Sequence, residues 1–109
     1  MYKVLLVCLG NICRSPLAEG IFNKLITTGG LQHMLQADSA GTSNYHIGEL
    51  PDARTIKIAS KNGMKLTHRG RQFTAKDFND FDLIIPMDHD NMTNVLRMAP
   101  TEADAQKVV

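Results

Sequence analysis

No stretch of this chain approaches the roughly 20 consecutive apolar residues that a membrane-spanning helix needs, and the apolar opening segment, Val4 to Leu9, is too short for a secretory signal. Neither a membrane span nor an export leader is expected, so the chain reads as cytoplasmic. No charge of one sign prevails. Twelve Lys and Arg stand against eleven Asp and Glu, a formal +1, which excludes nucleic acid or an anionic membrane as a partner held by bulk electrostatics. Any affinity for anions has to be built locally. Only two cysteines occur, Cys8 and Cys13, and a pair so close in sequence cannot staple a fold as a secreted disulfide framework does. Internal repeats and low-complexity tracts are absent as well. What remains is 109 residues, 43% hydrophobic and 21% charged, which suits one domain with a buried core.

What is present follows one grammar, a short apolar strand and then an amphipathic helix. Lys3 to Cys8 holds the continuous run Val4-Leu5-Leu6-Val7, as a parallel strand buried on both faces does. From Pro16 a helix is expected, with Leu17, Ile21 and Leu25 beside Ala18, Phe22 and Ile26 on an apolar face against the sheet, until Gly29-Gly30 stops it. A second strand is expected around Gln36 to Ala40. A second helix follows from Pro51 to Asn62, where Ala53, Ile56 and Ala59 share a face and Asn62-Gly63 offers a left-handed C-cap. Phe81 to Met87 reads as the third strand, Asn91 to Ala99 as a short helix ended by Pro100, and Lys107 to Val109 as the beginning of a fourth strand. The expected class is α/β: an open parallel sheet with helices on both faces, of three strands plus the start of a fourth. Ligands bind such sheets at the carboxyl ends of the strands.

The first such end carries Cys8-Leu9-Gly10-Asn11-Ile12-Cys13-Arg14-Ser15-Pro16. On residue type alone a buried cysteine is more often core than nucleophile. Here, however, five residues between Cys8 and Arg14 suffice to wrap backbone N–H groups around a tetrahedral anion, with a helix N-terminus behind them. Gly10 and Asn11 tolerate the positive φ such a loop demands, and Pro16 places the helix start just after Arg14. The lysine and second glycine of a nucleotide P-loop are missing, and so is a G-x-G-x-x-G turn. A thiolate at Cys8 would be stabilised by Arg14, the loop amides and the helix end. Arg14 would grip two phosphoryl oxygens as a planar fork, and Ser15 would donate to the sulfur as it leaves.

In these residues the sequence resembles the low-molecular-weight protein tyrosine phosphatases, whose signature is Cys, five residues, Arg, then Ser or Thr near the N-terminus. Asp38-Ser39-Ala40-Gly41-Thr42, Asp52 to Arg54, His68-Arg69-Gly70-Arg71-Gln72 and Phe81 through Met87-Asp88 to Asn91 fall in the family's order. The resemblance implies the family's fold and a phosphatase that works through a phosphocysteine without metal or organic cofactor. It implies Cys8 as nucleophile, Arg14 as phosphate clamp and residues Leu9 to Ser15 as the phosphate loop. Asn11, Ser15, Ser39 and His68 match the hydrogen-bond network supporting that loop. Cys13 matches a second cysteine that can close a reversible disulfide with Cys8, though it also fits as a small apolar filler. Tyr45 falls where the family supplies an aromatic wall beside the substrate, or is a plain loop tyrosine.

The chain departs from the pattern at its end. Completion of the fourth strand, an Asp-Pro-Tyr loop carrying the general acid, and a last helix are lacking from residues 1–109. Asp104 precedes Ala105 and is not promoted to that role. Expulsion of the leaving group is then expected to be slower, and an uncovered sheet leaves room for self-association. Thioredoxin-coupled arsenate reductases share the loop but need further downstream cysteines, and none occurs. Asp88-His89-Asp90 invites a metal, yet adjacent residues at a helix start do not converge on one ion, so acids at a helix N-terminus are expected instead. Lys65, Arg69 and Arg71 read either as a basic rim that draws phosphopeptides or as a solvated turn; His33 and His46 receive no role. Two classes of function stay open. One is an enzyme acting on phosphotyrosine proteins or small aryl phosphates and inhibited by phosphate-like oxyanions; the other is a phosphate-binding or redox-sensing module.

Overall fold

In the computed structural model, which describes Met1 to Val109, the apolar run at the N-terminus forms β1 (Tyr2–Cys8). It is the middle strand of a parallel sheet ordered β2-β1-β3, in which β2 is Leu35–Gly41 and β3 is Leu83–Pro86. The central position accounts for the composition: Val4 through Cys8 are each 3% exposed or less, because helices and loops cover both faces. Leu5 and Val7 point to one face and pack with Ala40, Phe73, Phe78, Phe81, Ile84 and Val95. Phe73 and Phe78 meet edge to face at 5.4 Å, a favoured aromatic geometry. Val4 and Leu6 alternate to the other face, which α1 (Arg14–Thr28) covers.

Helix α1 departs from the amphipathic reading in two ways. It begins at Arg14, so Pro16 is its third residue; the first helical bond runs from Leu17 N–H to Cys13 C=O at 3.2 Å, and the N–H that Pro16 lacks would have had no partner. Its buried side is also narrower than the expected face: Phe22 and Ile26 turn inward as expected, and Ile21 and Leu25 do not. Ile21 and Leu25 are 45% and 65% exposed, whereas Ile26 is 5% exposed and Ser15 is buried. The inward line is Ser15, Glu19, Phe22 and Ile26, spaced as one helical face. Two polar residues that belong near Cys8 and His68 therefore set the rotation of the helix, and Leu17, Ile21 and Leu25 are left on an outer groove with Ile58 and Met64.

Both long helices on the crossovers end at glycine. Gly30 (φ +68°) lets Leu31 N–H reach Ile26 C=O after α1, and Gly63 (φ +74°) lets Met64 N–H reach Ala59 C=O after α2 (Ala53–Lys61), each at 2.9 Å. Asp52 caps α2; Thr55 and Ala59 form its buried line, and Ala53 faces solvent, contrary to expectation. Two single-turn helices, α3 (Asp77–Asp80) and α5 (Glu102–Ala105), escape the periodicity reading because four residues carry no period. Between them α4 (His89–Arg97) starts at its N-cap Asp88. The beginning of a fourth strand appears as one parallel bridge, Ile84 with Val108.

Candidate active site

All three strands deliver their carboxyl ends to one place. Cys8 stands opposite Gly41 across the sheet, and Met87 N–H bonds Val7 C=O at 2.7 Å, which brings Asp88 alongside. Residues 9 to 13 loop over this edge. Asn11 takes φ 59°, the left-handed region, whereas Gly10, expected to share it, does not. One positive-φ residue suffices to turn the loop, and asparagine is among the few side chains that tolerate it. Gly41 is demanded by contact: a Cβ there would lie 2.7 Å from Leu9 O and 3.1 Å from Asn11 N.

The loop leaves most of its backbone donors without a partner. Of the seven N–H groups from Leu9 to Ser15, only that of Asn11 has an acceptor within the protein, and the acceptor is Cys8 Sγ at 3.2 Å. Leu9, Cys13 and Arg14 are exposed and Gly10 and Ile12 half-buried, so these donors are open at the strand end, where a ligand with many acceptor oxygens can take them. The N-terminus of α1 adds to this. Its N-cap, Cys13, offers no side-chain bond and its first turn contains no acid, so the positive end of the helix dipole is uncompensated. Cys8 is buried and Cys13 exposed, both as free thiols.

Asn11 organises what lies behind. Its Nδ2 donates to Ser15 Oγ (2.8 Å) and Ser39 Oγ (3.0 Å), and its Oδ1 accepts from His68 Nε2 (2.7 Å) and Arg71 N–H (3.0 Å). Ser15 Oγ, accepting from Asn11, is free to turn its hydrogen to Cys8 Sγ at 3.0 Å. Ser39 Oγ passes its own to Glu19 Oε1 at 2.6 Å. His68 Nδ1 then lies 3.2 Å from Glu19 and 3.3 Å from Asp38. Burial pushes the Glu19 carboxyl above the ordinary carboxylate range, against its bond from Ser39. Burial would push Asp38 up too, but its hydrogen bond with His68, helped by Arg71, holds it below that range.

Arg14 stands half-exposed at the mouth, its Nη1 2.8 Å from Asp88 Oδ2. A backbone hydrogen bond from Asn91 and then the Arg14 guanidinium hold the Asp88 carboxyl low. Asp88 thus caps α4 with one oxygen and anchors Arg14 with the other. Of the two readings left open for Lys65, Arg69 and Arg71, a basic rim or a solvated turn, the side chains do not gather into a rim. Arg71 is tied to Asp77 and Asp38, Arg69 donates to Gly48 C=O, and Lys65 lines a separate groove. Tyr45 is 72% exposed on the loop after β2, while His46, given no role from sequence, lies directly against Gly10.

Sequence reasoning overlooked Glu19, Asp38 and Asp88 as site residues, and Arg71 as support. A signal for Glu19 existed: it lies four residues after Ser15, on the same helical face. The other three are brought in by chain segments remote in sequence. Asp88-His89-Asp90 does not converge on an ion position.

The family model for low molecular weight phosphotyrosine protein phosphatases matches residues 3–109. A Synechocystis protein is 49% identical over 106 residues, covering 97% of this chain and 68% of its own length. The low molecular weight protein-tyrosine-phosphatase of Streptomyces coelicolor is 45% identical over 107 residues, covering 98% and 65%. The crystal structure of a protein tyrosine phosphatase from Entamoeba histolytica, with Hepes in the active site, superposes with a TM-score of 0.96 at 40% identity, covering all of this chain and 69% of that one. The chain therefore spans about two thirds of the length of the relatives it matches.

Proposed function

The chain belongs to the low molecular weight phosphotyrosine protein phosphatase family, and from that premise we propose that it hydrolyses phosphotyrosine and small aryl phosphate monoesters through a phosphocysteine on Cys8. The observation that carries this reading is the run of six N–H groups between Leu9 and Ser15 that have no acceptor in the protein, in the loop that follows Cys8, with Arg14 at the rim. A phosphoryl dianion supplies acceptors for those amides, and Arg14 shifts from Asp88 to bind two of its oxygens. The sulfur attacks phosphorus in line: the S–P bond forms, the P–O bond to the aryl group breaks, and the electron pair leaves with the aryl oxygen. Water then forms a new P–O bond, the S–P bond breaks, and the departing sulfur is met by the Ser15 hydroxyl 3.0 Å away. The water's proton passes to solvent or to phosphate.

Neither Asp88 nor Asp104 stands ready to protonate the leaving oxygen. Asp88 is held ionised beside Arg14, and Asp104 is engaged with Thr101 in the first turn of α5. Since general acid catalysis contributes about 10² to 10⁴-fold, turnover by these residues is expected to fall steeply as the leaving group becomes more basic. Phosphate and vanadate compete for the same amides. Cys13, exposed at the base of α1, forms a reversible disulfide with Cys8 under oxidation, and the two free thiols fit a reducing cytoplasm. No helix is long and apolar enough to cross a membrane.

The test is a time course with para-nitrophenyl phosphate at enzyme concentrations high enough to see the first turnover. Steady turnover that vanishes in Cys8→Ser is the expected result. Release of one equivalent and no more favours a module that captures phosphate without releasing it, and no release at all overturns the cysteine mechanism.

A further inference from the structure

Behind the phosphate loop, three separate elements bring ligand-bearing side chains to one point. Glu19 comes from α1, Asp38 from β2 and His68 from the segment after α2, and one ligand atom of each lies within 4.8 Å of the others. His68 Nδ1 is 3.2 Å from Glu19 Oε1 and 3.3 Å from Asp38 Oδ1. Nitrogen and oxygen ligands sit about 2.0 to 2.2 Å from a tetrahedral zinc ion, so they stand roughly 3.3 to 3.6 Å from one another. Both carboxylates already stand at nearly that distance from the imidazole nitrogen.

The ring orientation is fixed from the other side. Arg71 N–H can only donate, so the Asn11 atom 3.0 Å away is the amide oxygen, and His68 Nε2, 2.7 Å from that same oxygen, carries its hydrogen. Nδ1 is thereby left facing two carboxylates, a position that calls for a positive centre, either a proton or a metal ion. Three carboxyl side chains, Glu19, Asp38 and Asp77, stand here against one guanidinium, Arg71, an excess of acidic groups that suits a divalent cation.

We propose that Glu19, Asp38 and His68 form a binding site for a divalent first-row transition ion such as Zn²⁺, through one imidazole nitrogen and two carboxylate oxygens, with water completing the shell. Binding places the Nδ1 lone pair and one oxygen of each carboxylate on the metal without any change of oxidation state, and a proton resident on Nδ1 passes to solvent. The supporting contacts are those that ligating groups carry. Ser39 orients the Glu19 carboxylate at 2.6 Å, Arg71 Nε holds the other oxygen of Asp38 at 3.3 Å, and His68 Nε2–H is anchored on Asn11. Asp38 is partly exposed and gives an ion its way in. Because Asn11 also holds Ser15 and Ser39, occupancy is transmitted to the phosphate loop. The site does not depend on the phosphatase reading.

The experiment titrates the full chain, carrying Cys8→Ser and Cys13→Ser so that no thiolate competes, with Zn²⁺ in a calorimeter. One equivalent is expected to bind, and Glu19→Gln and Asp38→Asn are each expected to weaken binding by more than tenfold, since changes beyond the ligands alone already cost about 10- to 100-fold. No binding at millimolar Zn²⁺, or binding indifferent to both substitutions, overturns the site. Nitrogen NMR of the cysteine-free chain decides even where those carboxylate variants fail to fold. A large Zn²⁺-induced shift at His68 Nδ1 supports the site, and shifts confined to His33, His46 or His89 overturn it.

Discussion

Asn11 concentrates the most structure into one residue. Its amide makes four hydrogen bonds, its N–H serves the sulfur, and its backbone occupies the left-handed region at φ 59°. Asn11→Ala keeps the strained backbone and leaves Ser15, Ser39, His68 and the Arg71 N–H without their partner. Since a buried polar group left unpaired costs about 1 to 3 kcal/mol, the unfolding free energy from urea titration should fall by that amount, and turnover should fall more than substrate affinity because Ser15 loses its orientation. Arg14 gives a sharper contrast. Arg14→Lys keeps the charge and loses the planar fork, so kcat/KM for an aryl phosphate should drop at least about 10²-fold at unchanged stability. Wild-type turnover in that variant would remove Arg14 from the clamp. Neither expectation needs a residue beyond the loop and its immediate supports, and both were within reach of the sequence. The anchoring of Arg14 by Asp88 was not, because 74 residues separate them.

Helix α1 and the end of β2 decide how accurately the loop is held. At Gly41 a Cβ would press on Leu9 C=O and on the Asn11 backbone, neither of which can rotate away. Gly41→Ala should therefore cost about 1 to 3 kcal/mol, as overpacking does, and should impair turnover as well. On α1 the stripe of apolar residues at four-residue spacing is the misleading feature. Leu25→Gln, at a position 65% exposed, should change stability by less than about 0.5 kcal/mol, whereas Ile26→Ala should cost about 2 to 5 kcal/mol. Thermal melts of the two variants check the rotation of the helix directly; equal losses would show that the expected stripe faces the sheet after all. The glycine ends of α1 and α2 were legible because a Schellman turn depends on neighbours only two or three residues away.

Across the whole molecule, three carboxyls with displaced titration, Glu19, Asp38 and Asp88, shape the response to pH. Asp38 and Asp88 are held below the ordinary aspartate value of 3.8, so their stabilising contribution is present above that value and is lost as pH falls through their lower folded values. Glu19 has the opposite sign. Raised above the ordinary 4.5, it favours the fold below that pH and opposes it as pH rises through its elevated value. Urea midpoints should climb from strong acid, then slacken above 4.5; Glu19→Gln should abolish the slackening and leave the acid limb in place. Parallel curves for the two proteins would count against the burial of that carboxyl. The sequence by itself determined the central strand, the Cys8–Arg14 loop, the glycine stops and the alternation that makes a parallel sheet, since each rests on spacing within one or two turns of chain. Only the tertiary structure decided which side of α1 faces inward, that Arg71 is internal, and that Glu19, Asp38 and His68 meet behind Asn11. The physical reason is range: His68 reaches Asn11 across 57 residues, and a polar residue with no local partner looks the same in sequence whether it ends in water or in a buried network.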